Sequence, residues 1–212
     1  MMGPFITFEG IEGSGKSTQI VLLAKYLSAH GKSVTLTREP GGTSIGDQIR
    51  KILLDPSNTS LDARAELLLY AAGRAQHLAE LIVPERRAGR IVLCDRFSDA
   101  TLAYQGYGRG LDLGLIRSLD KIVTDGIRPD LTILLDIDAA AGLARARGRN
   151  SRGGLEAEAR FENEDLSFHE RVRQGYLDLA KQEPERFQIV DASPNPETIQ
   201  NKLRQLIDKL LG

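Results

Sequence analysis

Eight consecutive residues, Gly10-Ile11-Glu12-Gly13-Ser14-Gly15-Lys16-Ser17, match the pattern GxxxxGK[ST] and lie between a β-prone run and a helical pattern. That context is what the chemistry needs. Glycines let backbone N–H groups turn inward around phosphate oxygens, and a helix N-terminus adds positive potential. Lys16 then reaches the transferring phosphate, and Ser17 is placed to hold Mg²⁺. Asp95 ends a buried apolar run, where a carboxylate can hold the same metal or its waters; an ordinary helix cap or a pair with Arg96 is the alternative. Further along, Arg145, Arg147, Arg149, Arg152 and Arg160 are interspersed with Gly148, Gly153 and Gly154. A segment of this kind can deliver guanidinium groups to a triphosphate and exclude water, or it can be a solvated loop paired with Glu156 and Glu158.

Two helical spacings suggest a second small-molecule pocket. Tyr70 and Arg74 are four residues apart, as are Thr101 and Gln105, with Tyr104 between the latter two. A ring, a cation, a hydroxyl and an amide facing one space suit a flat heterocycle with hydrogen-bonding edges. Spacing alone favours a satisfied surface pair for either helix taken by itself. His30, His77 and His169 are scattered without metal-ligand spacing and read as structural or surface residues. Cys94 reads as a small buried hydrophobe rather than a reactive thiol.

Five short apolar runs alternate with helical patterns and predict the frame that positions these groups. The expected strands are Pro4 to Glu9, Ser33 to Thr37, Arg90 to Cys94, Leu131 to Ile137 and Phe187 to Val190. Between them, helices are predicted with Ile20, Leu23, Ala24 and Leu27 on one face, then over Thr43 to Leu54. A long run follows from Leu61 to Arg87, with Pro84 as a candidate break, and further helices cover Ser98 to Gln105 and Leu113 to Thr124. Ala139 to Ala146 starts another helix, Asn163 to Gln182 returns to helix, and Asn195-Pro196 caps a last one with Ile199, Leu203, Leu206 and Leu210 inward. The expectation is an α/β fold with a doubly wound five-stranded parallel sheet flanked by helices, in one domain over 1–212 with an Arg-rich lid at about 147–160. Ligands then belong at the carboxyl ends of the strands.

Composition narrows the partners. Lys and Arg total 28 against 29 Asp and Glu, a net charge of −1, which argues against a nucleic-acid surface. Within the basic residues, 20 Arg against 8 Lys favour the planar fork that suits phosphate. Met1 to Phe8 lacks a positive region followed by an apolar one, no run reaches the ~18 apolar residues of a membrane helix, and one cysteine cannot form an internal disulfide. The expectation is a cytoplasmic protein with no membrane partner.

Several motifs together resemble the thymidylate kinase family of nucleoside monophosphate kinases, over nearly the whole chain. They are Phe8-Glu9 running into the phosphate loop and Thr18-Gln19, Thr37-Arg38-Glu39-Pro40-Gly41-Gly42-Thr43, Asp95-Arg96-Phe97-Ser98, and Ala103-Tyr104-Gln105-Gly106. The resemblance implies transfer of a phosphoryl group from ATP to dTMP with Mg²⁺, usually in a homodimer. It implies that Gly10, Ile11, Glu12, Gly13, Ser14, Gly15, Lys16, Ser17 and Thr18 bind ATP phosphates, with Ser17 and Asp95 at the metal. Asp191, Ala192 and Ser193 would lie near adenine and Arg145 over it. For dTMP it implies Arg96 on the phosphate, Glu12 near the 3′-hydroxyl, and Arg38, Glu39 and Pro40 bordering the site. Tyr70 would stack on thymine, Arg74 would reach O4, Thr101 and Gln105 would complete base recognition, and Tyr104 would crowd a ribose 2′-hydroxyl. The phosphate loop has no Arg at its variable positions, so the chain resembles the bacterial type in which the lid supplies the catalytic Arg, leaving Arg147, Arg149, Arg152 and Arg160 as candidates.

No general base is needed for such a reaction. A phosphate monoester has its second pKa near ~6 and is mostly ionised at neutral pH. What remains is to hold two polyanions in line and neutralise them. The competing readings are a kinase for another nucleotide or nucleoside and a phosphate-loop ATPase that switches a partner protein.

Overall fold

The computed structural model describes residues 2–153 and 160–212, and side chains except those of 149–153. Five parallel strands run in the order β2-β3-β1-β4-β5, with β1 at Phe5–Glu9, β2 at Val34–Arg38, β3 at Ile91–Asp95, β4 at Leu131–Asp136 and β5 at Phe187–Asp191. Every residue of β1 is buried, whereas β2 and β5 at the edges alternate with exposed positions. Helices on both faces explain why the central strands read as unbroken apolar runs. The pairing of Phe8 with Asp95 sets the end of β3 beside the loop that leaves β1, and β1 is where the strand order reverses.

The helices begin where the sequence offers caps. Thr43 accepts from the Gly46 N–H ahead of α2 (Ser44–Leu54), Asp62 caps α3 (Ala63–His77), and Asp112 caps α6 (Leu113–Thr124). Asp165 caps α8 (Leu166–Gln182), and Asn195 caps α9 (Pro196–Leu211) with Pro196 in its first turn. α1 (Lys16–Ala29) instead starts from Gly15 at φ 91°, a left-handed conformation that glycine adopts without strain.

Strand ends differ from the sequence expectation by a residue, and the larger differences are in the helices. The run from Leu61 to Arg87 is divided: α3 passes through a π-helical turn at Leu78–Ile82 into the short α4 (Val83–Arg87), whose first turn holds Pro84. Proline cannot donate to the preceding turn, and the widened turn accommodates it without stopping the chain. The helix predicted over Ser98 to Gln105 is α-helical only in α5 (Ser98–Thr101) and continues as a π-helix, Leu102–Gly108. α7 (Ala139–Gly153) runs well into the segment read as lid. In α9 the buried positions are Ile199, Gln200, Leu203 and Ile207, while Leu210 is exposed, since a face stepping by four from Ile199 reaches 207 and not 210.

One close approach ties the phosphate loop to this frame. A Cβ on Gly13 would lie 1.9 Å from the Gly142 carbonyl oxygen, and one on Gly142 of α7 would lie 2.6 Å from the Glu12 oxygen. Loop and helix therefore pack backbone to backbone, which a side chain at either position would prevent.

Candidate active site

Beyond the carboxyl ends of β1 and β3 lies a chamber of about 370 Å³. The phosphate loop contributes Glu12, Gly13, Lys16 and Ser17 to its wall, and the turn after β2 contributes Arg38, Glu39 and Pro40. Tyr70 and Arg74 reach it from α3, Asp95 and Arg96 from the end of β3, and Thr101, Tyr104 and Gln105 from α5 and the π-helix. The wider π turn lets Tyr104 and Gln105, adjacent in sequence, line the same space as Thr101.

At the loop, Lys16 Nζ donates to the carbonyls of Gly10 at 2.9 Å and Ile11 at 2.8 Å, and to Ser14 Oγ at 3.3 Å. Burial and the neighbouring Arg96 charge push its ammonium down to about 8. Ser17 Oγ donates to Asp95 Oδ2 at 2.8 Å. A hydroxyl and a carboxylate side by side are hard oxygen donors suited to Mg²⁺, which takes one or two protein oxygens and completes its shell with water and phosphate. No group of three or more His, Cys, Asp or Glu able to hold a metal occurs among the described residues.

Arg96 is held in an unusual conformation, φ 71°, with its N–H on the Phe8 carbonyl at 2.9 Å. From there its guanidinium donates to Glu12 Oε1 at 2.9 Å and Tyr176 Oη at 3.1 Å, and sits 4.7 Å from the centre of the Tyr104 ring. Tyr104 Oη also donates to Glu12 Oε1, at 2.6 Å. Burial alone would raise the Glu12 carboxyl, but Arg96, with His169, Lys16 and Tyr104, holds it well below the usual carboxylate range. Beneath these, Glu9 accepts from the Phe97 N–H at 2.8 Å and Tyr176 Oη at 2.7 Å, and burial together with Asp99 pushes it up to about 8.

At the far end, Arg74 is nearly saturated. Its Nε donates to Glu39 at 2.9 Å and one terminal nitrogen donates to the Phe97 carbonyl at 3.1 Å and Thr101 Oγ1 at 2.9 Å. Asp120 lies 3.5 Å from the other terminal nitrogen. Glu39 thus lines the chamber while its carboxylate serves Arg74 and His77. Arg38 is exposed and 3.6 Å from Asp47.

A second groove lies across the loop, lined by Gly13, Ser14, Gly15, Thr18, Arg145 and Ser193 among others. Arg145 donates to the carbonyls of Ala192 at 2.8 Å and Ser193 at 3.0 Å. Asp191 accepts from the Ser193 N–H at 2.8 Å, so Asp191 and buried Ala192 shape the turn rather than the groove wall.

The lid arginines divide. Arg147 donates to the Glu162 carbonyl at 3.3 Å, and Arg160 donates to the Leu53 carbonyl at 3.0 Å and pairs with Glu66 at 2.6 Å. Neither lines the chamber, although Phe161 and Glu162 do. The side chains of Arg149 and Arg152 lie outside the described residues, as do Glu156 and Glu158. Cys94 is fully buried, and burial, with Glu39, raises its thiol well above the usual range, as a core residue requires. His77 and His169 are fully buried, and His30 is an exposed partner of the Tyr26 carbonyl.

Sequence reasoning missed Arg50, which lines the chamber from α2 and donates to the Pro40 carbonyl at 2.9 Å, and Tyr176, Glu66 and Glu162. None of these carries a local motif. Tyr176 and Glu162 come from the C-terminal third of the chain, whereas Glu66 shares α3 with Tyr70 and Arg74 and is distinguished only by what packs onto it.

Comparison with known proteins gives a consistent result. A family model described as thymidylate kinase matches residues 8–203. The chain is 59% identical over 192 residues to the thymidylate kinase of Syntrophotalea carbinolica, covering 91% of this chain and 89% of that one. It is 55% identical over 208 residues to that of Desulfovibrio desulfuricans, covering 98% and 96%. The crystal structure of thymidylate kinase from Ehrlichia chaffeensis superposes with a TM-score of 0.78 at 37% identity, over 98% of this chain and 99% of that one.

Proposed function

The chain belongs to the thymidylate kinase family, and from that premise we propose how its two recesses divide the work of phosphorylating dTMP. It is an ATP-dependent kinase that converts dTMP to dTDP. The single observation that carries the division is the phosphate loop standing between chamber and groove, with Lys16 and Ser17 facing the chamber and Thr18 and Gly15 facing the groove. Adenine belongs in the groove beside Arg145 and Ser193, and dTMP belongs in the chamber. Its base lies between Tyr70 and Arg74, with Thr101 and Gln105 on the remaining edge. Its phosphate lies against Arg96, and Tyr104 closes on the ribose C2′. The 147–160 segment acts as the lid.

In this arrangement the acceptor phosphate arrives already ionised, and the protein's task is electrostatic. Lys16 and the loop amides hold the donor phosphates, while the Arg96 fork holds the acceptor oxygen in line with them. Ser17 and Asp95 would hold Mg²⁺, which would supply neutralisation of the donor's negative charge.

Exposed apolar side chains support the homodimer. Ile45 and Ile52 of α2, Leu68 of α3 and Leu115 and Ile122 of α6 are all exposed, on helices that pack side by side. Cytoplasmic location rests on the single, unpaired Cys94.

A coupled ADP-release assay across dTMP, dUMP, UMP, AMP and thymidine tests the acceptor assignment. dTMP is expected to have the highest kcat/KM, with UMP lower because its 2′-hydroxyl meets Tyr104. Equal or greater turnover with AMP would sink the pocket assignment, and ADP release independent of any acceptor would favour a switch.

A further inference from the structure

A glutamine amide shows either an oxygen or an NH₂ to its surroundings, and the two have opposite meanings for a base edge. A 4-oxo pyrimidine offers N3–H, a donor. A 4-amino pyrimidine offers a bare N3, an acceptor. The orientation of Gln105 in the chamber therefore decides which base is accepted, and the structure supplies a side chain that decides the orientation.

That side chain is Glu66, fully buried in the first turns of α3. Its Oε1 accepts from Gln105 Nε2 at 2.7 Å and from Arg109 Nε at 3.4 Å, and its Oε2 lies 2.6 Å from the Arg160 guanidinium. A carboxylate flanked by two guanidinium groups accepts and does not donate. Gln105 must therefore turn its NH₂ toward Glu66, leaving Oε1 for the chamber. We propose that Glu66 is a positioning residue for base selection: it fixes the Gln105 amide so that its oxygen accepts N3–H while Arg74 donates to O4. The combination fits a 4-oxo pyrimidine and opposes a 4-amino one. The inference rests on the reading of the chamber as the dTMP pocket.

The probe is 5-methyl-dCMP, which differs from dTMP only in the 4-amino group and the bare N3. In Glu66→Gln, residue 66 can donate, Gln105 is free to turn, and its NH₂ can meet N3. The preference for dTMP over 5-methyl-dCMP in kcat/KM is expected to fall by about tenfold or more, mainly through KM, with kcat/KM for 5-methyl-dCMP rising. A merely structural role would lower both substrates together and leave the ratio unchanged. Should Glu66→Gln not fold, Glu66→Gln with Arg160→Gln removes both charges of the pair and is expected to relax the ratio in the same way. Gln105→Leu separates base contact from positioning. If it collapses the ratio while the Glu66 variants do not, the positioning role is overturned and the pocket stands. If none of the variants moves the ratio, the pocket assignment fails and the positioning role with it.

Discussion

Lys16→Ala is expected to lower kcat for phosphoryl transfer to dTMP by about a thousandfold or more, with dTMP affinity changed only a few-fold. Lys16 Nζ is already fixed by two loop carbonyls at 2.8 and 2.9 Å, so only its longer contact to Ser14 Oγ at 3.3 Å need be exchanged for an arriving phosphate. A preorganised charge in a water-poor site is worth more than the same charge in solvent, and removing one such donor typically costs about 10²- to 10³-fold. Alanine also leaves the Gly10 and Ile11 carbonyls without their ammonium partner. On the proposed assignment the dTMP base binds at the chamber's other end, so dTMP affinity reports that the variant is folded. Steady-state kinetics with isothermal titration of dTMP checks both halves, and a kcat within tenfold of the parent would overturn the role.

The same burial gives a pH dependence with a definite sign. Burial pushes Lys16 down to about 8, and the reactive form is the cation. In the free enzyme the cation is lost as pH rises through that value, so kcat/KM for ATP should fall on the alkaline side near pH 8. Bound ATP adds negative charge beside Nζ and favours protonation, so the corresponding limb in kcat should lie higher.

Both expectations draw on residues that are legible in the amino-acid sequence. The phosphate loop is contiguous, so strand, glycines, lysine and helix signal each other locally. Asp95 is legible as a candidate because it ends a buried apolar run, with a helix cap or a pair with Arg96 as the alternative; the structure sets it against the Ser17 hydroxyl. Thr101, Tyr104 and Gln105 do meet in one chamber, although the helix that brings them there is a π-helix and not the α-helix their spacing suggests. Glu66 is not legible, since an acid in an Ala/Leu-rich helix looks like any solvated residue until Arg109 and Arg160 pack onto it. Gly142 likewise reads as a weak spot in a helix until the phosphate loop is laid against it. Local chemistry survives in sequence, whereas partners remote along the chain acquire meaning only through packing.

Arg96→Lys, which keeps the charge, is expected to lower kcat/KM for dTMP by about a thousandfold, equivalent to ~4 kcal/mol of transition-state stabilisation. The Arg96 fork touches Glu12 at 2.9 Å and Tyr176 at 3.1 Å while its plane lies over Tyr104, a three-way fixation that a lysine ammonium cannot reproduce. A phosphate met by a planar, fixed fork is oriented as well as neutralised, and in-line transfer depends on that orientation. The backbone argues the same way. A non-glycine residue at φ 71° is strained, and such strain persists where surrounding contacts hold the residue, here the hydrogen bond to Phe8 and the side-chain anchors. Thymidine, which lacks the phosphate, supplies the control: its affinity should be unchanged in Arg96→Lys while that of dTMP falls. Equal losses for both ligands would mean that Arg96 supports the pocket as a whole through Glu12 and Tyr104, and unchanged dTMP kinetics would remove it from the phosphate site.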